Sequence, residues 1–431
     1  MSDSIADNGV IGAGGGGFPA SVKLAAKAEI FLVNAAECEP LLHKDKELLV
    51  HFRGEFLRGL AAAMGRTGAA SGIIGIKEKY TDLIQSLGRE LPANVRIQAL
   101  SDTYPAGDEF MLVFEVTGRV ISPGGLPKDV GCTVSNVETL VNIGADSPVT
   151  TKFLTVAGAV RKSATLRVPV GISFRECISA VGGATVPKFG VLSGGVMMGT
   201  LVASLDEAVT KTTGGIIVLP YEHNILKRYR APDSQVRKVG KSACDQCTFC
   251  TELCPRYLLG HPIQPHRAMR ALGFETASEP LLEGTLFCCE CNLCSMYSCP
   301  EDLDPRRVCS LDKVVARKRG LKWNGDPDAV KTHELLEFRR VPTSRLMRKL
   351  GLYEYINEGP LRMGTLEARR VKLMLRQGAG APAEACVEAG QMVSMGELVA
   401  APPAGKMGAN IHASIAGRIT FEEGAIVVEA S

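Results

Sequence analysis

Nine of the chain's 14 cysteines fall in two tight runs, and eight of them repeat nearly the same spacing. The first, CDQCTFCTELCP, sets Cys244, Cys247, Cys250 and Cys254 in the pattern C-x2-C-x2-C-x3-C-P. The second, CCECNLCSMYSCP, gives C-x2-C-x2-C-x4-C-P through Cys288, Cys291, Cys294 and Cys299. Three thiolates two residues apart on a tight loop reach three irons of one 4Fe–4S cubane, and a fourth followed by proline points away to the other cluster. The spacing therefore predicts two 4Fe–4S clusters with crossed ligation. Cys244, Cys247 and Cys250 go with Cys299, and Cys288, Cys291 and Cys294 go with Cys254. Two structural zinc sites are the competing reading, but zinc uses two C-x2-C knuckles separated by a longer loop. The extra residue before Cys299 leaves local, uncrossed ligation open. Cys289 is left over and reads as a buried thiol.

Segment 255–287, between the runs, has a helical pattern around HRAMRALGF. It predicts a helical ferredoxin-like module over residues 223–325 rather than a compact two-stranded one. The composition around it is that of a globular protein, 45% hydrophobic and 22% charged, and 431 residues allow two to four domains. A net charge of +3 is too small to argue for a nucleic-acid partner. No apolar run approaches the roughly 18 residues that cross a bilayer. The opening MSDSIADNG has neither the basic nor the apolar part of a secretory signal. No membrane span and a cytoplasmic location are expected, and in that compartment clustered cysteines serve metals or redox groups rather than disulfides.

A two-cluster wire must be loaded with electrons, and the N-terminal residues offer a loading site. Gly12-x-Gly14-x-x-Gly17 has the spacing of a dinucleotide fingerprint. Beyond it ASVKLAAKA is helical in composition and EIFLVN reads as a buried strand. Glu37 stands about twenty residues past Gly17, where a ribose-binding acid is expected. These features predict a Rossmann-like unit. Residues 8–11 leave little room for a strand before the loop, however, and four consecutive glycines precede Phe-Pro. A disordered glycine tail is the competing reading.

Four stretches in one order, GAGGGGFPASVKL, NAAECEP, YPAGDE and SNVETL, resemble the NADH-binding flavoprotein subunit of respiratory complex I. The resemblance implies a Rossmann-like domain over residues 1–150 that binds FMN and NADH together. Carried over, Gly12, Gly14, Gly15, Gly16 and Gly17, with Phe18 and Lys23, would line the nucleotide site. Asn34, Glu37 and Glu39 would hold the flavin and the nicotinamide side. Tyr104, Gly107, Asp108 and Glu109 would continue the pocket, and Asn136, Glu138 and Thr139 would close it. Ala36 stands where that family has aspartate, which puts one flavin or ribose contact in question. Each carboxylate taken singly could equally be a solvated loop residue or a helix cap.

Residues 151–222 alternate strand-like runs with Gly and Pro turns. They resemble the soluble-ligand-binding β-grasp domain that follows the flavin domain in that family, and Met197 and Met198 read as core. Residues 326–384 read as a helical linker. Within 306–349 stand 13 Lys/Arg against 5 Asp/Glu, either a solvated helical face or a surface for an acidic partner. Residues 385–431 resemble a barrel-sandwich domain of the biotinyl or lipoyl type, with Lys406 of GKMGANIHASIAG at the carrier lysine. No carboxylase chemistry accompanies it, so no biotinylation is expected. The fold class is accordingly multidomain, α/β and α+β. RnfC-type electron-transport proteins resemble this order but carry the barrel-sandwich at the N-terminus. With that unit at the C-terminus, the chain resembles most the cobalamin reductases of propanediol-utilising microcompartments.

That resemblance implies an enzyme passing electrons from NADH through FMN and two 4Fe–4S clusters to cobalamin. Cob(III)alamin and cob(II)alamin would be reduced toward cob(I)alamin inside a diol-utilising bacterial microcompartment. A cobalamin adenosyltransferase and a shell protein are the implied partners. Hydride transfer itself requires no acid–base residue, so none is named as catalytic. The chain has no Asp-x-His-x-x-Gly corrin motif, so cobalamin would bind transiently or on a partner. Two alternatives stand beside this. One is an RnfC-like NADH dehydrogenase subunit with a protein acceptor. The other is a non-enzymatic electron-transfer or scaffold subunit with a vestigial nucleotide site, favoured only by Ala36.

Overall fold

The computed structural model describes residues 3–274 and 278–430. Phe31, Leu32 and Val33 of strand Ile30–Ala35 are shut off from solvent, as the centre of a parallel sheet covered on both faces requires. That strand pairs in parallel with Ser71–Lys77 on one side and Cys132–Asn136 on the other, and Val95–Leu100 extends the sheet beyond Ser71–Lys77. Helices Arg53–Thr67 and Val137–Ala145 pack on each other, and Glu109–Thr117 packs against the sheet. Chain order reverses between Ile30–Ala35 and Cys132–Asn136. In an open α/β sheet the crevice beyond the C-terminal ends of the strands at such a switch point is where ligands bind.

The glycine loop is placed differently from a dinucleotide fingerprint. It precedes the first strand of the sheet, and the residues before it contribute only an isolated bridge, Ile11 to Pro19. A short helix, Ala20–Leu24, follows the loop. The loop is therefore not a strand-to-helix turn, and Glu37 follows the first strand rather than ending the second. The residues just ahead of the loop form a short helix, Ser4–Asp7, rather than the strand that the fingerprint needs. The tail reading fails too, because Val10, Ile11 and Ala13 are buried.

A second, mixed sheet runs in the order Leu361–Thr365, Ala164–Pro169, Thr151–Gly158, Gly215–Pro220, Phe189–Ser193, Thr200–Leu201. Helix Phe174–Ala180 covers it through Phe174, Cys177 and Ile178. Segment 326–384, expected as a helical linker, is corrected by the structure. It holds one α-helix, Thr343–Lys349, and several strands. Val341–Pro342 pairs with Thr103–Tyr104, Leu361–Thr365 joins the second sheet, and Arg370–Met374 pairs with Ala425–Glu429. In RVKLM, Val371 and Leu373 are fully buried while their neighbours are not, the two-residue period of a half-buried strand. The C-terminal strands form two small sheets around Val371, Leu373, Val399, Ile419, Ile426 and Val428.

Between these units lies the cysteine-bearing module, with helices Asp233–Ala243, Pro265–Ala271, Glu279–Thr285 and Pro305–Lys318 packed together. Several cations of the basic stretch are taken up within the chain. Arg307 pairs with Asp233, Lys313 with Glu290, Arg339 with Glu252 and Arg340 with Glu115.

Candidate functional site

A cleft of about 620 Å3 opens at the switch point. All the residues expected to hold nucleotide line it except Glu138. Glycines 14–17 form one wall, Asn34, Glu37 and Glu39 another, and Tyr104, Gly107, Asp108 and Glu109 a third. Thr139 accepts from the amide of Ala13 at 3.0 Å and so fixes the base of the glycine loop. Asn34 donates to the carbonyl of Gly107 at 2.8 Å and accepts from the amide of Ala36 at 3.2 Å, joining two walls. Lys23 and Glu109 pair at 2.9 Å, both partly exposed.

Glu138 is corrected from cleft lining to support. It is fully buried behind the wall, where it binds Lys152 and accepts from the amide of Phe153 at 3.0 Å. Lys44 lies 3.4 Å from the same carboxylate and 2.5 Å from Asp45, which in turn accepts from Asn136 Nδ2 at 2.7 Å. Burial opposes the charge on Lys44, yet Asp45, Glu138 and Glu37 around it raise its pKa. Lys44 and Asp45 both line the cleft and were missed from sequence. Their one signal was their position just after the NAAECEP stretch.

The two acids on the near wall differ. Burial, with Asp45 beside it, pushes the Glu37 carboxyl up to about 8, against the pull of Lys44 and the Asp45 amide. Burial raises Glu39 to about 7, opposed by the amides of Met197 and Met198. Those amides donate to its two oxygens at 3.0 and 2.8 Å. Glu39 thus fastens the first domain to the loop 194–198 of the second sheet. Met198, expected in the core, is half exposed and lines the cleft.

The far wall belongs to the cysteine module. Cys291 lines the cleft, and its carbonyl accepts from Tyr104 Oη at 2.6 Å. Asp108 caps helix Glu109–Thr117 and takes both arms of Arg256 at 2.7 and 3.0 Å. Arg256, two residues past Cys254, also lies 3.8 Å from the centre of the Phe110 ring. Both partners of the ion pair are largely buried. Asp108→Ala leaves the guanidinium without its carboxylate and removes the cap, so a loss of about 3 kcal/mol is expected. Chemical denaturation checks this. A loss below about 1 kcal/mol would mean that the pair is screened like a surface bridge.

The two cysteine loops share one backbone conformation. Gln246 and Thr248 in the first run, and Glu290 and Asn292 in the second, have φ of 62, 71, 59 and 65°. These are left-handed residues at matching places between cysteines, costly for side chains other than glycine. The repetition gives the two runs the same turns between their first three cysteines. After the third cysteine the runs diverge. Phe249–Glu252 is a single α-turn, whereas Cys294–Ser298 is a wider π-type turn, which absorbs one extra residue. The fourth cysteines then resume the same backbone, φ −71 and ψ 119° at Cys254, φ −74 and ψ 119° at Cys299.

The thiols' electrostatic neighbours divide into two groups. Burial, then Cys299, Cys244 and Cys247, push Cys250 up to about 12. Burial, then Cys289 and Cys288, raise Cys254. Burial, then Cys288 and Cys254 ahead of Cys250, raise Cys294. Cys289 and Cys309 also lie in this second group. Among the described residues, no three His, Cys, Asp or Glu side chains converge as the ligands of one metal ion do. A cubane is larger and is held by thiolates at its corners.

Three family models match the chain. They are the Nuo51 FMN-binding domain over residues 5–145, a 4Fe-4S dicluster domain over residues 243–304, and the RnfC barrel sandwich hybrid domain over residues 357–429. The cobalamin reductase PduS of Salmonella typhimurium is 45% identical over 426 residues, covering 97% of this chain and 94% of that protein. The protein of the same name from Citrobacter freundii is 44% identical, covering 96% and 92%. A component of the Na(+)-translocating ferredoxin:NAD(+) oxidoreductase complex of Acetobacterium woodii is 33% identical, covering 58% of this chain and 56% of that one. No helix among the described residues is long and apolar enough to cross a membrane. With a glycine-walled cleft, a dicluster module and near end-to-end identity to two of its members, the chain belongs to the cobalamin reductase PduS family of oxidoreductases.

Proposed function

We propose that the chain takes electrons from NADH at the cleft, through FMN held there, and passes them through two 4Fe–4S clusters to cobalamin. One observation carries this reading: a single cleft has the glycine loop on one wall and Cys291 of the cysteine module on another. Bound FMN supplies the change from hydride chemistry to single-electron transfer. The chain supplies the rest. Glycines 14–17 let a flat cofactor and its phosphate approach the backbone, and Asn34 and Thr139 hold that wall in place. Lys44 keeps a positive charge beside Asp45. Burial and the neighbouring Asp45 favour the protonated form of Glu37.

The shared loop conformations and the thiol neighbours support crossed ligation, with Cys254 joining Cys288, Cys291 and Cys294, and Cys299 joining Cys244, Cys247 and Cys250. The first of these sets borders the cleft, because Cys291 lines it and none of the second set does. It is therefore the first acceptor. The segment 151–222 reads as a soluble-ligand-binding β-grasp domain between the flavin domain and the clusters. The substrate is cob(III)alamin or cob(II)alamin, taken toward cob(I)alamin. The setting is a diol-utilising microcompartment, with an adenosyltransferase and a shell protein as partners.

Anaerobic protein given NADH and cob(II)alamin should form cob(I)alamin, followed by its absorption spectrum. An artificial dye should be reduced as well. Dye reduction without cob(I)alamin would point to a protein acceptor, as the similarity to the Acetobacterium woodii protein suggests. Neither activity in protein carrying flavin and iron would leave a non-enzymatic role.

A further inference from the structure

The glycine loop has a second side. Its front lines the cleft, and its back rests on the C-terminal barrel-sandwich unit and on the turn that carries Lys211. The Ala379 amide donates to the Gly17 carbonyl at 3.0 Å. The two segments meet so closely that a Cβ on Gly378 would lie 2.3 Å from that same carbonyl oxygen. At the other end of the loop, Lys211 Nζ donates to the carbonyl of Gly9 at 2.7 Å and to that of Asn410 at 2.8 Å. Asn410 also donates its side-chain amide to the carbonyl of Asp7 at 3.2 Å. Lys211 is 3% exposed. Among the described residues it has no carboxylate within ion-pair distance, so its ammonium is held by carbonyls alone. A buried amine in that position joins three segments: the start of the glycine loop, the second domain and the C-terminal hairpin. In a carrier domain that hairpin must swing free, whereas here Asn410 is docked and only its tip, with Lys406, is exposed.

We propose that the barrel-sandwich unit and Lys211 together clamp the glycine-rich loop from behind, which makes Lys211 a positioning residue for a cleft it does not line. The effect on flavin rests on the reading of the cleft given above; the clamp itself does not. Removing the amine leaves the buried Gly9 carbonyl and the part-buried Asn410 carbonyl without this donor and frees the loop to leave the conformation that forms the wall. By linkage, what the clamp contributes to that conformation it also contributes to ligand affinity.

The test uses the full chain with its clusters. Hydrogen–deuterium exchange of amides 9–20 without added nucleotide is compared in the wild type, Lys211→Met, Gly378→Ala and the control Lys406→Ala. FMN affinity of the same flavin-depleted proteins is measured by fluorescence quenching. Lys211→Met and Gly378→Ala should each speed exchange in 9–20 and weaken FMN binding about tenfold, at the lower end of ordinary coupling between sites. Iron content should be unchanged, and Lys406→Ala should match the wild type in both measurements. Unchanged exchange in the two clamp variants overturns the clamp. Faster exchange with unchanged FMN affinity overturns the positioning role. If the wild type itself binds no FMN, the flavin reading fails, and the clamp is decided by exchange alone. If Lys211→Met does not fold, Gly378→Ala decides in the same way.

Discussion

Gly16→Phe is expected to give a folded protein that retains its iron and holds no flavin. A Cβ built on Gly16 meets nothing within 4 Å, and its φ lies outside the left-handed region. The backbone therefore tolerates a side chain, and Gly16 lines the cleft, so a ring there competes with whatever the cleft holds. Gly15 faces equally open space but has a φ of 105°, so a substitution there would mix occlusion with backbone strain. At Gly16 the two separate. Flavin affinity should fall by at least about 100-fold, roughly 2.7 kcal/mol. Stability should stay within about 0.5 kcal/mol, as for surface changes that touch nothing. Flavin released per chain on acid denaturation, with the unfolding midpoint, measures both. Full flavin in Gly16→Phe would mean that the loop is not the site.

Cys254→Ala should cut the electron path at its first relay. The electrostatic neighbours of the Cys254 thiol are Cys289 and Cys288 of the other run, and Cys254 stands ahead of Cys250 among the neighbours of Cys294. Iron should fall from about eight to about four per chain. The surviving EPR signal should be that of the set built on Cys244, Cys247, Cys250 and Cys299. NADH should still reduce the flavin, because hydride transfer precedes the clusters. Cobalamin reduction should drop on the order of 100-fold or more, about 2.7 kcal/mol in barrier, and NADH should no longer reduce the remaining cluster. Loss of the signal from Cys254's own run, with the other intact, would show local ligation. Cys289 and Cys309 are the spare thiols of this group, either of which could replace the missing ligand. A Cys254→Ala protein that keeps eight irons should therefore lose four when Cys289 and Cys309 are also replaced.

The cysteine ladders were legible in the sequence because ligand spacing is a local property. Two residues between thiols are enough to place three of them on one loop, and the left-handed residues at 246, 248, 290 and 292 do that within a few bonds. The glycine, acidic and Asn-Val-Glu stretches were legible for a similar reason. Each supplies one short piece of wall, and each piece carries its own chemistry. What only the tertiary structure decided are the relations between pieces. Glu138 looked like a ligand in its helix, but the adjoining strand brings Lys152 and Phe153 onto its carboxylate and withdraws it from the cleft. Asp108 meets Arg256, and Tyr104 meets Cys291, across separations of 148 and 187 residues, and no local pattern encodes such contacts. The glycine loop matched a strand-to-helix turn by spacing alone, yet stands ahead of the sheet because no strand precedes it. The stretch taken as a linker carries strands whose partners lie in distant segments, and a strand's pairing depends on the edge it finds rather than on its own residues. The sequence by itself determined which chemistries this chain holds. The fold decided their order in space, since backbone edges and buried charges find their partners only when distant segments are packed together.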